Sequence, residues 1–320
     1  MPNAPRIAHN SDLCTQFIAA HKVSARYPRV TEQVDCLPIE KGKLVRFGYN
    51  PSIIEDNGGL LMAYRYHDGD TLATKLALAE LDFTGKVLSN RTIEVPAEGA
   101  VSVEDPKLFR WGASVWIEWV QSTWPNFPLS SVVKVGRLEG NKVVNVVQLE
   151  PPTPKAIEKN WVPMPIGDTL RFLYECDPEQ TIFENSTKPY TLLQSAGPTW
   201  SYGAIRGGTV PLLYQGRLLR FFHSGLDNEF GPQRRRYFLG ALLMEPEAPF
   251  ATVVASKRPI AYGSELDNLT GDERRKCIQY KRQVVFPGGA VAHDGEFLVS
   301  VGVNDSACAI LRIKPDQLNL

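Results

Sequence analysis

Glu104-Asp105-Pro106 places two carboxylates directly ahead of a proline-fixed turn. Other polar residues stand at comparable points along the chain: Asn50 before Pro51, Lys159-Asn160-Trp161, Arg206 before Gly207-Gly208, and Asp305 after Asn304. Arg65, Glu175 and His223 each close an apolar run, in MAYRY, RFLYEC and RFFHS. Carboxylates can hold or move a proton, guanidinium and ammonium groups can hold an anion, and amides can orient a polar ligand. Taken singly, each residue also has a purely structural reading. The Glu-Asp-Pro tripeptide could be an Asx-turn, Arg65 the surface end of a strand, His223 a satisfied half-buried imidazole, and Arg206 a turn flank. Their meaning depends on which elements carry them.

Those elements repeat. A polar residue and a proline lead into a strand, a Gly turn follows, and a strongly apolar strand then ends in a polar residue. Asn50-Pro51 with Gly58-Gly59 precedes LLMAYRY, and Asp105-Pro106 with Gly112 precedes ASVWIEWV. Asn160 to Pro163 with Gly167 precedes DTLRFLYEC, Arg206 to Pro211 with Gly216 precedes RLLRFFHS, and Phe286-Pro287 with Gly295 precedes EFLVSVGVND. Further apolar strands follow most of these hairpins, and 24 prolines with 25 glycines fit a turn-dense β chain rather than a βαβ sheet. Five units of about 40–60 residues, each of three or four strands, predict an all-β, five-bladed β-propeller. A pair of β-sandwiches with recurring Pro-Gly turns is the alternative. The propeller would occupy residues 41–320 as one closed unit. Residues 1–40 would form an arm packed outside it, with a short helix over Ser11–Ala25. A second helical turn is expected within Glu265–Arg282. In a propeller the inner strands line a central channel, so the polar residues above would converge on one pocket.

Composition removes several classes. Lys+Arg and Asp+Glu are both 35, which leaves no one-signed field for nucleic acid or an anionic membrane surface. No apolar run approaches the ~18 residues of a spanning helix. Five scattered cysteines without a CxxC pair, and five histidines without HxxxH spacing, provide neither a disulfide framework nor a zinc site. The polar, Pro-containing stretch from Met1 to Asp12 lacks the grammar of a secretory signal. The expected setting is the cytoplasm, without nucleic acid, membrane span or metal; a homo-oligomer is compatible with the sequence.

In order over roughly Arg46 to Ile313, FGYNPSI, MAYRY, EDPKLF, EKNWVP, RGGTVPLL with FFHSG, YFLGALLMEPE, VVFPGG and VGVND resemble glycoside hydrolase family 130. These are five-bladed propellers that act on β-mannosides, as phosphorylases or hydrolases, alongside related mannosyltransferases. The resemblance implies Asp105 as the general acid and Asn50, Ser52 and Arg65 as holders of the mannosyl unit. Tyr237, Phe286 and Asp305 would shape the sugar subsites, together with Glu104, Asn160 and Trp161. Arg206 falls where phosphorolytic members bind phosphate, with His223 and Lys159 bordering the same anion site. One departure stands out: phosphorolytic members end the third unit's strand in an Arg, where this chain has Glu175, a residue compatible with activating water.

Inversion at a glycosidic carbon needs one carboxylic acid for the leaving oxygen and a nucleophile on the opposite face. That nucleophile is either water activated by a base, with carboxyls ~6.5–9.5 Å apart, or phosphate, which needs only positioning. The first case would use Asp105 and Glu175, on adjacent blades. The second would use Lys159, Arg206 and His223 as a positive pocket and inorganic phosphate as co-substrate, with no cofactor. A proton on Asp105 near neutrality would need burial or a like charge, from Glu104 or Asp305. Substrates would be oligosaccharides or β-mannosides, with phosphate or a sugar phosphate in the phosphorolytic or synthetic direction. The alternatives are a propeller-fold glycosyltransferase using a phosphate-activated donor, and a non-catalytic sugar-binding propeller.

Overall fold

A computed structural model describes residues 35–38, 48–67, 71–96, 101–184, 191–228, 231–263, 266 and 283–320. The five predicted units are five antiparallel sheets. Their inner strands are Tyr49–Asp56, Ser102–Trp111, Val162–Ile166, Ala204–Gly208 and Val285–His293. The second strands are Gly59–His67, Ser114–Ser122, Thr169–Glu175, Arg217–Asn228 and Glu296–Val303, and the remaining strands of each blade follow outward. Neighbouring blades pack in chain order, and the inner strand of blade one also packs on that of blade five, so the sheets form a ring. The fold is a five-bladed β-propeller. Among the described residues no helix is long and apolar enough to cross a membrane.

Closure is non-covalent. Asp35–Pro38 pairs antiparallel with Ala307–Ile313, from Asp35 opposite Arg312 to Pro38 opposite Ala309, as the outer strand of blade five. The propeller therefore takes in chain from within the expected arm. The rest of that arm, with the helix expected over Ser11–Ala25, lies outside the described residues, as does Glu265–Arg282 apart from Leu266.

The core consists of five apolar layers, one between each pair of adjacent blades. Because each sheet is covered on both faces, its central strands read as near-continuous apolar runs rather than as alternation. All nine residues of Gly59–His67 are buried. The Gly turns gather at one face of the ring. There Asn57-Gly58, Arg110, Pro165, Leu212 and Val291 border a cavity of about 630 Å³, while the polar ends of the second strands lie at the opposite mouth.

Candidate active site

At that opposite mouth the inner strands are interrupted. The register shifts between Tyr49 and Ser52, Glu104 and Lys107, Arg206 and Gly208, and Pro287 and Gly289, so four blades carry a β-bulge at the channel. Asn50, Asp105 and Asn160 have φ of 49°, 49° and 65°, in the left-handed region that Asn and Asp tolerate best among non-glycine residues. On these three blades the polar residue at the channel is therefore also the residue type that the backbone needs there. On blade four the bulge holds Gly207, where a Cβ would lie 2.0 Å from the carbonyl oxygen of Asn160.

The bulges and the second-strand ends enclose a cavity of about 500 Å³. Of the residues expected at the site, Asn50, Arg65, Glu104, Asp105, Lys159, Asn160, Arg206, His223, Tyr237, Phe286 and Asp305 line it. Three do not. Ser52 is buried, and its Oγ accepts the Leu108 N–H at 2.9 Å, which ties blade one to blade two. Trp161 is core: its indole packs on Phe172 and Phe183 and donates to Glu158 Oε2 at 3.2 Å. Glu175 is half-exposed, paired with Lys155 and absent from the cavity lining, because the strand ends in a register shift between Leu173 and Glu175. Glu175 thus stands outside the cavity that holds Asp105, where a water-activating base would be needed.

Asp105 sits at the centre of a charge network. Asn50 Nδ2 donates to its Oδ1 at 2.7 Å. Arg65 Nη1 lies 3.1 Å from the same oxygen and 2.7 Å from Glu104 Oε2. Glu104 Oε1 also accepts from Ser122 Oγ at 2.7 Å. Arg65 is buried and stacks 4.3 Å from the centroid of the Tyr49 ring. Burial by itself would raise the Asp105 pKa, but the Arg65 charge, the Asn50 amide, Lys107 and Lys159 together outweigh it and hold the carboxyl below its ordinary value. The expectation that burial and a like charge would raise this pKa is not met, because the cations and the Asn50 amide around Asp105 stabilise its ionised form. Gly302 makes the network sterically possible, since a Cβ there would stand 2.0 Å from Asn50 Oδ1.

His223 differs from its expected role. Its Nδ1–H donates to the Gly207 carbonyl at 3.0 Å, which leaves Nε2 as an acceptor. Burial first, then the charges of Arg206 and Lys107, push its pKa down to about 3. The imidazole is neutral, so the cationic groups of the cavity lining are Arg65, which is paired with Glu104 and Asp105, together with Lys159 and Arg206. Tyr237 stacks on the His223 ring at 5.6 Å and Phe286 lies 4.8 Å away, which fixes its plane.

Several contributors went unread in the sequence. Val120, Ser122, Trp124, Leu129, Ser131, Ile157 and Val284 also line the cavity. Lys107 and Glu118, cross-strand partners on blade two, are both buried, with Nζ 3.6 Å from Oε2. Lys107 Nζ lies 5.9 Å from the Phe286 ring centroid. Each of the two charges interrupts an apolar stretch, KLF and WIEWV, and that interruption was the available signal. Among the described residues no cluster of three or more His, Cys, Asp or Glu could hold a metal ion.

A closed ring of five blades with a mixed-charge cavity at one mouth defines the class: an axial-site β-propeller. No family model matches the chain, and no curated protein is similar to it in sequence. Solved structures do share its fold. The β-1,2-mannobiose phosphorylase from Listeria innocua, in complex with β-1,2-mannobiose, is 16% identical, with 92% of this chain and 97% of that one covered at a TM-score of 0.59. A mannose phosphorylase from Leishmania mexicana, in complex with phosphate ion, is 16% identical, with 94% and 92% covered at 0.61. A glycosyl hydrolase from Bacteroides ovatus is 12% identical, with 91% and 93% covered at 0.59. What these three share with the chain is the five-bladed fold of mannoside phosphorylases and glycoside hydrolases.

Proposed function

We propose that this protein is a glycoside-processing enzyme that cleaves β-mannosides by inverting phosphorolysis. The observation that carries the reading is one cavity lined by a buried, hydrogen-bonded carboxylate, Asp105, together with Lys159 and Arg206, while Glu175 stays outside. A phosphate oxygen held by Arg206 and Lys159 attacks the anomeric carbon, the glycosidic C–O bond breaks, and the proton of Asp105 passes to the leaving oxygen. Inversion of a β-mannoside gives α-mannose 1-phosphate and the freed alcohol. Asn50, Arg65 and Asp305 orient the sugar hydroxyls, and His223 Nε2 accepts a hydrogen bond from one of them. The reaction needs no cofactor beyond phosphate as co-substrate. The same groups serve synthesis in the reverse direction.

The charge that lowers the Asp105 pKa comes partly from Lys159. An anion beside Lys159 neutralises that part, so phosphate binding and protonation of Asp105 favour one another. Phosphate thereby helps to supply the proton that the acid must carry. The test is product analysis with β-mannobiose, with and without phosphate. Mannose 1-phosphate formed only when phosphate is present supports the reading. Free mannose formed at the same rate without phosphate makes the protein a hydrolase, and elongation from an activated donor makes it a transferase.

A further inference from the structure

Lys107 and Glu118 are charged, yet neither lines the cavity. They are cross-strand partners on the inner and second strands of blade two, 1% and 0% exposed, with Nζ 3.6 Å from Oε2. Alternation puts Lys107 on the face of Phe109 and Glu118 on the face of Val120, both members of the apolar layer between blades two and three. Neither oxygen of Glu118 has a hydrogen-bond partner. A buried ion pair is often no more stable than two apolar side chains of similar volume, and unsatisfied oxygens make it less so. Packing alone therefore does not account for the two charges.

Their position does. The bulge that carries Asp105 lies between Glu104 and Lys107, and the facing strand brackets it with Val120 and Glu118. Lys107 Nζ also lies 5.9 Å from the ring centroid of Phe286 on blade five, which lines the cavity and meets His223 at 4.8 Å. The Lys107 charge lowers the pKa of both Asp105 and His223, and the Asp105 charge in turn raises that of Glu118. Arg65, Glu104, Lys159, Arg206, His223 and Asp305 face Asp105 from the other sides, but they line the cavity, where a ligand meets them. Among the described residues, Lys107 and Asp105 are the charged groups that act on Glu118.

We propose that Lys107 and Glu118 are positioning residues for the acid: a buried pair behind the cavity whose net charge falls from positive to zero when Glu118 ionises, and which thereby sets how readily Asp105 takes up its proton. This deepens the reading of Asp105 as the acid and rests on it. With Asp105 ionised, Glu118 holds its proton because a like charge stands nearby. When phosphate and sugar favour a proton on Asp105, that like charge is gone and Glu118 ionises more readily against Lys107. The Lys107 charge is then compensated and no longer opposes protonation of Asp105. Near neutrality the two carboxyls share one proton, held on Glu118 before binding and on Asp105 after it.

Carbon-13 NMR of the side-chain carboxyls reads the coupling without turnover. In protein labelled at the glutamate carboxyl, the Glu118 resonance is the one missing from Glu118→Gln and from Lys107→Met/Glu118→Gln. Its midpoint should fall by about one pH unit in Asp105→Asn, the scale of one nearby charge at an effective dielectric constant of about 20. An unchanged midpoint overturns the proposal, whatever the enzyme does. Kinetics read the consequence, with each variant first checked for a cooperative thermal transition. The alkaline limb of kcat, at saturating β-mannobiose and phosphate, reports the acid in the complex. Glu118→Gln leaves the Lys107 charge unopposed and should move that limb about one pH unit lower. Lys107→Met/Glu118→Gln removes both charges and should bring it back. A merely structural pair predicts the reverse order, since the double variant loses more packing, so a double variant no better than Glu118→Gln also overturns the proposal. If wild type yields no mannose 1-phosphate, the phosphorolysis reading fails, and the NMR comparison still decides whether the pair and Asp105 are coupled.

Discussion

Glu118 is where pH should act on this fold. Its carboxyl is fully buried, neither oxygen has a hydrogen-bond partner, and the 3.6 Å separation from Lys107 Nζ is an ion pair too long to be a hydrogen bond. Burial raises its pKa, Lys107 pulls it down and Asp105 pushes it up again, so that it moves from 4.5 to about 7. At about 1.4 kcal/mol for each tenfold change in proton affinity, that rise corresponds to about 3 kcal/mol. The sign follows from linkage: the folded state binds this proton more tightly than the unfolded chain does. The contribution is therefore present in full below about 4.5 and is lost as pH rises through about 7. Glu118→Gln cannot lose a proton and should not show this loss. Urea unfolding of both proteins at pH 5 and pH 8.5 measures it. The stability of wild type relative to Glu118→Gln should fall by 2 to 3 kcal/mol between the two, because the remaining groups cancel in the difference. Lys107→Met/Glu118→Gln should follow Glu118→Gln, which would exclude a change at Lys107 as the cause. A difference that stays constant with pH would refute the reasoning, since it would mean that Glu118 is ionised as readily inside as outside.

Three further outcomes are expected. Asp105→Asn should keep the fold and lower turnover by about 10²–10⁴-fold, because an amide has no proton to give; a loss below tenfold in steady-state kinetics would remove Asp105 as the acid. Arg206→Ala should abolish the dependence of rate on phosphate, whereas Glu175→Gln, which breaks only a half-exposed pair with Lys155, should change activity little and stability by less than about 1 kcal/mol. The reverse pattern in the two phosphate titrations would restore Glu175 as a water-activating base. Gly302→Ala puts a methyl group 2.0 Å from Asn50 Oδ1, and should cost about 1–3 kcal/mol in thermal or denaturant unfolding and weaken sugar binding as Asn50 moves off Asp105; unchanged binding would mean that the network tolerates the shift.

The blade count was legible because order repeats in this chain. Pro-containing inner strands, Gly turns and apolar second strands recur five times, and each repeat became one sheet. Asn50, Asp105 and Asn160 were legible for a related reason. All three hold left-handed backbone, which favours Asn, Asp or Gly before any chemistry is asked of the position. The second-strand ends were less reliable. Arg65, His223 and Asp305 reach the cavity, but Glu175 turns outward, since a register shift near a strand end changes which way a side chain faces.

The sequence by itself determined the number of blades and the kinds of charge available to the channel, because these depend on a pattern that one chain repeats and on which residues it repeats. Only the tertiary structure decided how those charges act. Whether Asp105 is held ionised, whether His223 carries a proton and whether Glu118 resists losing one depend on burial and on distances between blades far apart in the chain. The apolar part of the cavity lining, with Trp124, Leu129 and Ile157, likewise exists only where a loop of blade two meets the connector to blade three. Electrostatic energy varies with separation and with the surrounding medium, and neither is written in the order of residues.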